Sequence, residues 1–315
     1  MDVLSDVITV MRTGAPSSAR VERHAPWGER FRHGPGTAGF EIVLAGSCWL
    51  IPREGDPIAL GPGDALLLPH GGEYGMADAP TAFADLPLVG EGESVPERPA
   101  ATRSPSAVLL CGSYELAADR GHPLLDDLPG IVRLPARPGH RSCLHAAVDL
   151  LGAELRDPGP GSDAVVPSLL DTLLVYILRT WLAEQPVCRE TSGWAAALAD
   201  PAVGAALNAV HADPAHPWTV AEMATRAGLS RAAFARRFTA LAGRPPLAYL
   251  TWWRLTTAAR LLRESDAPLA AIAAHVGYTS EYAFANAFKR TFTTAPGRYR
   301  RATIDGTRRD SSAVR

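Results

Sequence analysis

One short pattern occurs twice between Thr219 and Arg300, and few folds can accommodate it. The first copy runs from Glu222 to Phe238 and the second from Ala271 to Phe288. Met223, Ala224, Ala227, Gly228, Phe234 and Phe238 correspond to Ile272, Ala273, Val276, Gly277, Phe284 and Phe288. Each copy reads as a short helix, a turn opened by Gly and closed by Ser, then a second helix, the grammar of a helix-turn-helix. Gly228 and Gly277 stand where the first helix must end, at a position that favours positive φ. Ser230 and Ser280 offer a hydroxyl to the unpaired N–H groups of the following helix. Thr219-Val-Ala-Glu222 reads as a capping box. Phe234, Phe238 and Leu241, and again Phe284, Phe288 and Phe292, recur at three- and four-residue spacing, which turns one face of each second helix inward.

An array of α-hairpins would also repeat itself, but two copies are too few for such an array. Charge points elsewhere. Residues 200–315 carry 16 Lys/Arg against 8 Asp/Glu, a balance of +8, whereas residues 1–199 carry 15 against 25, a balance of −10. An asymmetry of this kind predicts a polyanionic partner for the basic part. The outward faces of the two second helices would then enter a major groove.

Residues 200–301 resemble the DNA-binding domain of the AraC/XylS family of transcription regulators. The resemblance is carried by Ala270-Ala-Ile-Ala, Val276-Gly-Tyr278, Phe284, Ala287-Phe-Lys-Arg290, Phe292, Pro296-Gly297 and Tyr299-Arg300. It implies two helix-turn-helix units joined by one long helix, here about Pro246 to Arg263. It also implies that residues near the start of each second helix read bases. In the first these are Arg231, Ala232, Ala235 and Arg236, with Thr239 further along. In the second they are Glu281, Tyr282, Ala285 and Asn286. Arg231 and Arg236 have the donors for guanine, Asn286 suits adenine, and Glu281 can accept from cytosine N4. Ser230, Arg237, Arg254, Ser280, Lys289, Arg290, Arg298 and Arg300 are the expected phosphate contacts, which position without specifying.

At 315 residues the chain is expected to form two domains. No continuous apolar run reaches the length of a membrane span, and the start Met1-Asp-Val-Leu-Ser-Asp6 lacks a basic, apolar leader. A cytoplasmic location is expected, with Cys48, Cys111, Cys143 and Cys188 as free thiols.

Residues 1–39 are poorly periodic. From Phe40 the chain turns strand-like, with Phe40–Leu44, Ser47–Ile51, Ile58–Leu60, Ala65–Leu68, Val108–Cys111 and Gly130–Leu134 separated by Gly, Pro and Asp turns. Short strands at this spacing predict an all-β barrel or sandwich. Ala25-Pro-Trp27, Gly46, Cys48-Trp-Leu50, Gly61, Asp64, Leu68-Pro-His-Gly71, Cys111-Gly112 and His122-Pro-Leu-Leu125 resemble the cupin barrel at the N-terminus of one AraC-like subgroup. Many cupins hold a metal on a His-x-His strand pair and a third His; the aligned positions here are Gly39, Glu41 and Tyr74, so that pair is absent. The remaining weak metal candidates are His33, Glu41, His70, Cys111 and His122, and Cys111 is also a candidate thiol sensor.

Two helical stretches follow within about 141–183. In the second, Val166, Leu169, Leu170, Leu173, Leu174, Ile177, Leu178 and Trp181 form a wide apolar stripe. Such a stripe docks a helix on the barrel. The resemblance also implies a dimer contact, with Leu169, Leu170, Leu173, Leu174, Ile177 and Trp181 as its candidates.

The expected organisation is a regulatory and dimerisation domain at 1–185 (barrel about 20–135), a linker at 186–199, an all-α DNA-binding domain at 200–301 and a tail at 302–315. The expected function is a sequence-specific transcription regulator controlled by a signal in the cupin-like domain, and not an enzyme. Its partners would be double-stranded DNA, a second copy of the chain, RNA polymerase if it activates, and a metal or small-molecule effector. Two alternatives compete: a cupin-type metalloenzyme, and a DNA-binding protein whose barrel is only a dimerisation scaffold.

Overall fold

A computed structural model describes residues 2–89, 104–116, 122–137, 142–185 and 193–301. Half of the expected linker (186–192) and the whole expected tail lie outside the described residues, as does Cys188; the rest of the linker holds a helix, Trp194–Ala199. The chain divides into two compact units, Met11–Gln185 and a second that combines Met1–Val10 with Pro186–Arg315. This differs from the expectation of one domain over 1–185. The first helix, α1 (Val3–Met11), buries Val3, Val7 and Val10 and groups with the C-terminal residues.

Among the described residues the sheet unit carries nine strands: β1 (Ser17–Arg23), β2 (Gly28–His33), β3 (Thr37–Gly46), β4 (Cys48–Pro52), β5 (Ile58–Leu60), β6 (Ala65–Leu68), β7 (Gly72–Ala77), β8 (Ala107–Glu115) and β9 (Val132–Leu134). They form two antiparallel sheets, ordered β1-β8-β3-β6-β9 and β2-β7-β4-β5. β3 is buried almost without interruption from Ala38 to Val43, the mark of a strand covered on both faces. On one side Val43 joins Leu50, Leu66, Leu68, Tyr74 and Met76 in a common core. On the other, Phe40 meets Tyr114 at a ring separation of 5.4 Å, and the Tyr114 hydroxyl donates to Leu170 O at 2.8 Å.

Leu170 belongs to the helices that close this unit. A short α2 (Pro123–Asp126) is followed by α3 (Cys143–Arg156) and α4 (Ser162–Glu184). α3 packs against β1 and α4 against α3 and β9. Leu170, Leu173, Leu174, Ile177, Leu178 and Trp181 of α4 are buried. Five of the six residues expected at a dimer contact are therefore covered within one protomer; Leu169 alone is half-buried. Among the described residues α4 is also the one helix long and apolar enough to cross a membrane by length and composition. No continuous apolar run signals this, because Asp171 and Arg179 interrupt the Leu, Val and Ile residues.

The helical unit continues with α5 (Trp194–Ala199), α6 (Pro201–Ala212), α7 (Val220–Arg226), α8 (Arg231–Ala242), α9 (Pro246–Glu264), α10 (Leu269–His275) and α11 (Glu281–Phe292). Pairs α7–α8 and α10–α11 are the two helix-turn-helix motifs, and α9 is the joining helix, within a residue of its expected bounds. The first motif packs Phe238 near Tyr249 of α9 at 5.8 Å. The second gathers Leu255, Ala258, Ala259 and Leu262 of α9 with Ile272, Ala273, Val276, Phe284, Phe288 and Phe292.

α1 is pinned to this unit by a buried polar chain. The Asp6 carboxylate can only accept, so His211 donates from Nδ1 at 3.2 Å. Its Nε2 then accepts from the Tyr249 hydroxyl at 2.6 Å. Burial pushes the His211 imidazole below its ordinary range, against the opposing pull of Asp6. Trp253 stacks on the same imidazole at 4.0 Å, and Arg263 donates to Val10 O at 3.3 Å.

Candidate nucleic-acid interface

Each recognition helix is started by local chemistry. The Ser230 hydroxyl accepts from Ala233 N, and the Ser280 hydroxyl from Ala283 N, both at 3.3 Å. Upstream, Gly228 and Gly277 take φ values of 64° and 83°, where a Cβ is costly. The capping box is only half formed. Thr219 Oγ1 accepts from Glu222 N at 3.1 Å. The Glu222 carboxylate does not return to Thr219; it pairs with His216 Nε2 at 2.8 Å.

With Phe234 and Phe238 buried, α8 exposes Arg231, Ala232, Arg236 and Thr239 and leaves Ala235 half-buried. α11 repeats this: Phe284, Ala287 and Phe288 are buried, Glu281, Tyr282 and Asn286 are exposed, and Ala285 is half-buried. Tyr282 is 79% exposed, an unusual placement for an aromatic ring with no covering partner. All eight expected base-reading positions thus lie on faces turned away from their cores.

The six charged residues among the expected phosphate contacts separate into two groups. Lys289, Arg290 and Arg298 are exposed. Arg237, Arg254 and Arg300 are already engaged. Arg237 Nε donates to Asp200 Oδ2 at 2.7 Å. Burial would raise the Asp200 carboxyl, but bonds from Val203 N, Arg237 and Ala202 N outweigh it and hold the group below the usual carboxylate range. Arg300 donates to Ala267 O at 2.6 Å. Arg254 is half-buried and donates to Pro214 O at 2.6 Å and to His216 O at 2.8 Å. In these three guanidiniums a carboxylate or carbonyls within the unit already occupy part of the five-donor set, while the Arg237 side chain remains 53% exposed. Ser230 and Ser280 act as helix caps, which leaves each hydroxyl hydrogen available outward.

The sheet unit brings some of the metal candidates together and ties the others to backbone. Glu41 (β3) and Tyr74 (β7) meet between the sheets, with the Tyr74 hydroxyl donating to Glu41 Oε1 at 2.9 Å. His33 Nε2 lies 3.3 Å from that hydroxyl. Gly39 makes room for the imidazole, since a Cβ there would sit 2.8 Å from His33 Nε2. Burial pushes the Glu41 carboxyl up to about 8, against the bond from Tyr74 and the charge of Arg23. Cys111 pairs with Glu41 across β3 and β8. Its thiol is pushed well up by burial and by Glu41, which opposes thiolate formation. His70 and His122 are bound to backbone instead: His70 Nε2 meets Leu128 O at 2.9 Å, and His122 Nδ1 accepts from Leu124 N at 3.0 Å to cap α2. Among the described residues no group of three or more His, Cys, Asp or Glu is placed to hold a metal. The weak metal candidates Glu41, His70, Cys111 and His122 are therefore not a ligand set. Cys48, Cys111 and Cys143 are free thiols.

Two turn-linked helix pairs with outward basic faces define a helix-turn-helix DNA-binding protein. Comparison with known proteins agrees. Residues 2–183 match a Cupin family model and residues 223–302 a Helix-turn-helix domain model. A putative AraC-like transcription regulator of Streptomyces antibioticus is 38% identical over 96% of this chain and 99% of its own length. The HTH-type transcriptional regulator AlkR of Acinetobacter baylyi is 30% identical over 82% of this chain and 86% of its own. Among solved structures, the DNA-binding domain of AdpA in complex with a target DNA is 34% identical, covering 33% of this chain and 92% of that one, with a TM-score of 0.31. The chain belongs to the AraC-like family of DNA-binding transcription regulators, with a cupin N-terminal domain.

Proposed function

We propose that this regulator reads DNA with α8 and α11 in successive major grooves. Arg231, Ala232, Ala235 and Arg236 face one set of bases, and Glu281, Tyr282, Ala285 and Asn286 the other. The observation that carries this reading is the pair of exposed faces, each starting at a serine cap and each backed by buried phenylalanines. Lys289, Arg290 and Arg298 hold the phosphates, helped by the Ser230 and Ser280 hydroxyls. The test is binding of the purified protein to its own upstream DNA and to a scrambled duplex across a salt series. A preference of about 10³ or more with a steep salt slope supports the reading. Equal, weak binding to both would sink it for that DNA.

Two substitutions sort base from phosphate contacts. Arg236→Ala is expected to cost about 1–3 kcal/mol at the cognate site and to relax specificity there. An equal loss on random DNA would make Arg236 a phosphate contact. Lys289→Ala is expected to weaken all duplexes alike and to reduce the salt slope by about one.

The cupin unit, in this proposal, receives a small-molecule effector near Glu41, Tyr74 and His33 and transmits it to DNA binding. A cytoplasmic homodimer uses the outer side of α4, where Val165 is exposed and Leu169 half-buried, and contacts RNA polymerase where it activates. One observation favours the scaffold alternative: Glu41, Tyr74 and His33 satisfy one another and need no ligand. Titration with metals, oxidants and candidate metabolites decides, since a scaffold would leave DNA affinity unchanged by all of them.

A further inference from the structure

The two turn glycines are equivalent in sequence and both left-handed, yet their surroundings differ. A Cβ on Gly228 would meet nothing within 4 Å. A Cβ on Gly277 would lie 2.7 Å from Ala215 O and 2.7 Å from Arg254 Nη2. Ala215 belongs to the turn that leads into α7, so the turn of the second motif is seated against the approach to the first. Arg254, midway along α9, closes the junction. Its guanidinium donates to Pro214 O at 2.6 Å, His216 O at 2.8 Å and Ala215 O at 3.4 Å. The 213–218 turn is stiff in its own right: Asp213 Oδ1 accepts from Ala215 N at 3.1 Å and His216 N at 3.0 Å, and Trp218 Nε1 donates to Asp213 O at 2.8 Å.

We infer that Arg254 is a positioning residue that sets the separation and relative orientation of the two recognition helices. Three segments meet on its one planar, fixed fork: the approach to the first motif, the joining helix and, through Gly277, the turn of the second. A lysine ammonium keeps the charge but has no fork with which to span successive carbonyls. Two helices that must fit grooves about 34 Å apart tolerate little error in spacing, so the junction governs bipartite binding while leaving each helix's own base contacts intact. Gly277 is required here for space as well as for φ, whereas Gly228 is required for φ alone. The inference rests on the reading that α8 and α11 contact DNA together.

The experiment uses the full-length protein and its Arg254→Lys, Gly277→Ala and Gly228→Ala variants. A duplex of about 30 base pairs is selected from a random pool by the wild-type protein. Affinities are then measured for that duplex, for one with a half-site scrambled, and for one with a base pair inserted between the half-sites. Thermal unfolding of each variant is recorded alongside. The expected result is a loss of about tenfold or more on the selected duplex for Arg254→Lys and Gly277→Ala, with single-half-site affinity within about twofold of wild type. Their penalty for the inserted base pair shrinks, while Gly228→Ala keeps the wild-type spacing preference. Equal losses on whole and half duplexes would overturn the inference, as would a matching spacing defect in Gly228→Ala. Failure of the wild type to select any duplex would overturn the DNA reading itself, a separate and recognisable outcome.

Discussion

Replacing Phe288 with alanine is expected to lower the stability of the helical unit by about 3–5 kcal/mol, the range for emptying a fully packed phenylalanine site. Phe288 is completely buried. Its ring lies 4.2 Å from Phe292, 5.4 Å from Tyr299 and 5.7 Å from Phe284, and joining-helix residues Leu255 and Leu262 share the cluster. A cavity here has rings on several sides and a helix behind it, so collapse can recover little. Denaturant unfolding followed by circular dichroism measures the loss. Phe288→Leu should recover part of it, because most of the volume returns. A change below about 1 kcal/mol for Phe288→Ala would show that the site relaxes freely and that the cluster is not the keystone of the second motif.

The second large effect concerns pH and the sheet unit. Glu41 has its carboxyl raised from 4.5 to about 8 by burial. Between those values the folded chain holds a proton that the unfolded chain has released. The folded state thus binds more protons, and stability falls as pH rises. The slope is about 1.4 kcal/mol per pH unit for this one group. The loss begins near the ordinary glutamate value and levels off above about 8. Glu41→Gln keeps an acceptor for the Tyr74 hydroxyl and removes the titration. The variant should therefore gain on the wild type steadily across that window, in chemical denaturation at a series of pH values. Parallel curves for the two proteins would show that Glu41 is ionised in the folded state.

The helical half of the fold was legible because its signals are local. Gly228, Ser230 and Phe234 lie within a few residues of one another, and helix ends and faces are decided at that range. The charge balance then supplied the partner. The failures are non-local. β7 contains Gly72 and Gly75 and has no alternation to read, yet pairing with β2 and β4 makes it central to its sheet. β1 and β2 lie in residues that showed no period, and only their partners β8 and β7 specify them. α1 did carry a signal, with Val3, Val7 and Val10 at helical spacing, but nothing nearby in sequence says where that face is buried. Arg254 looked like any other cation on a basic domain. Its role depends on carbonyls 38 to 40 residues away, which no motif announces. The α4 stripe could serve the barrel or a partner, and within one protomer it serves the barrel.

The DNA-binding unit is assembled from segments on either side of the sheet unit in sequence. Asp6 and His211 are 205 residues apart in sequence, and Val10 and Arg263 are 253 apart. During synthesis α1 is made before His211 and Arg263, so its apolar face must wait while the whole cupin unit is made. Closing so long a loop carries an entropic cost that local contacts do not share. A ribosome that stops before Arg263 releases a chain whose cupin unit is complete but whose Val10 carbonyl lacks the Arg263 donor.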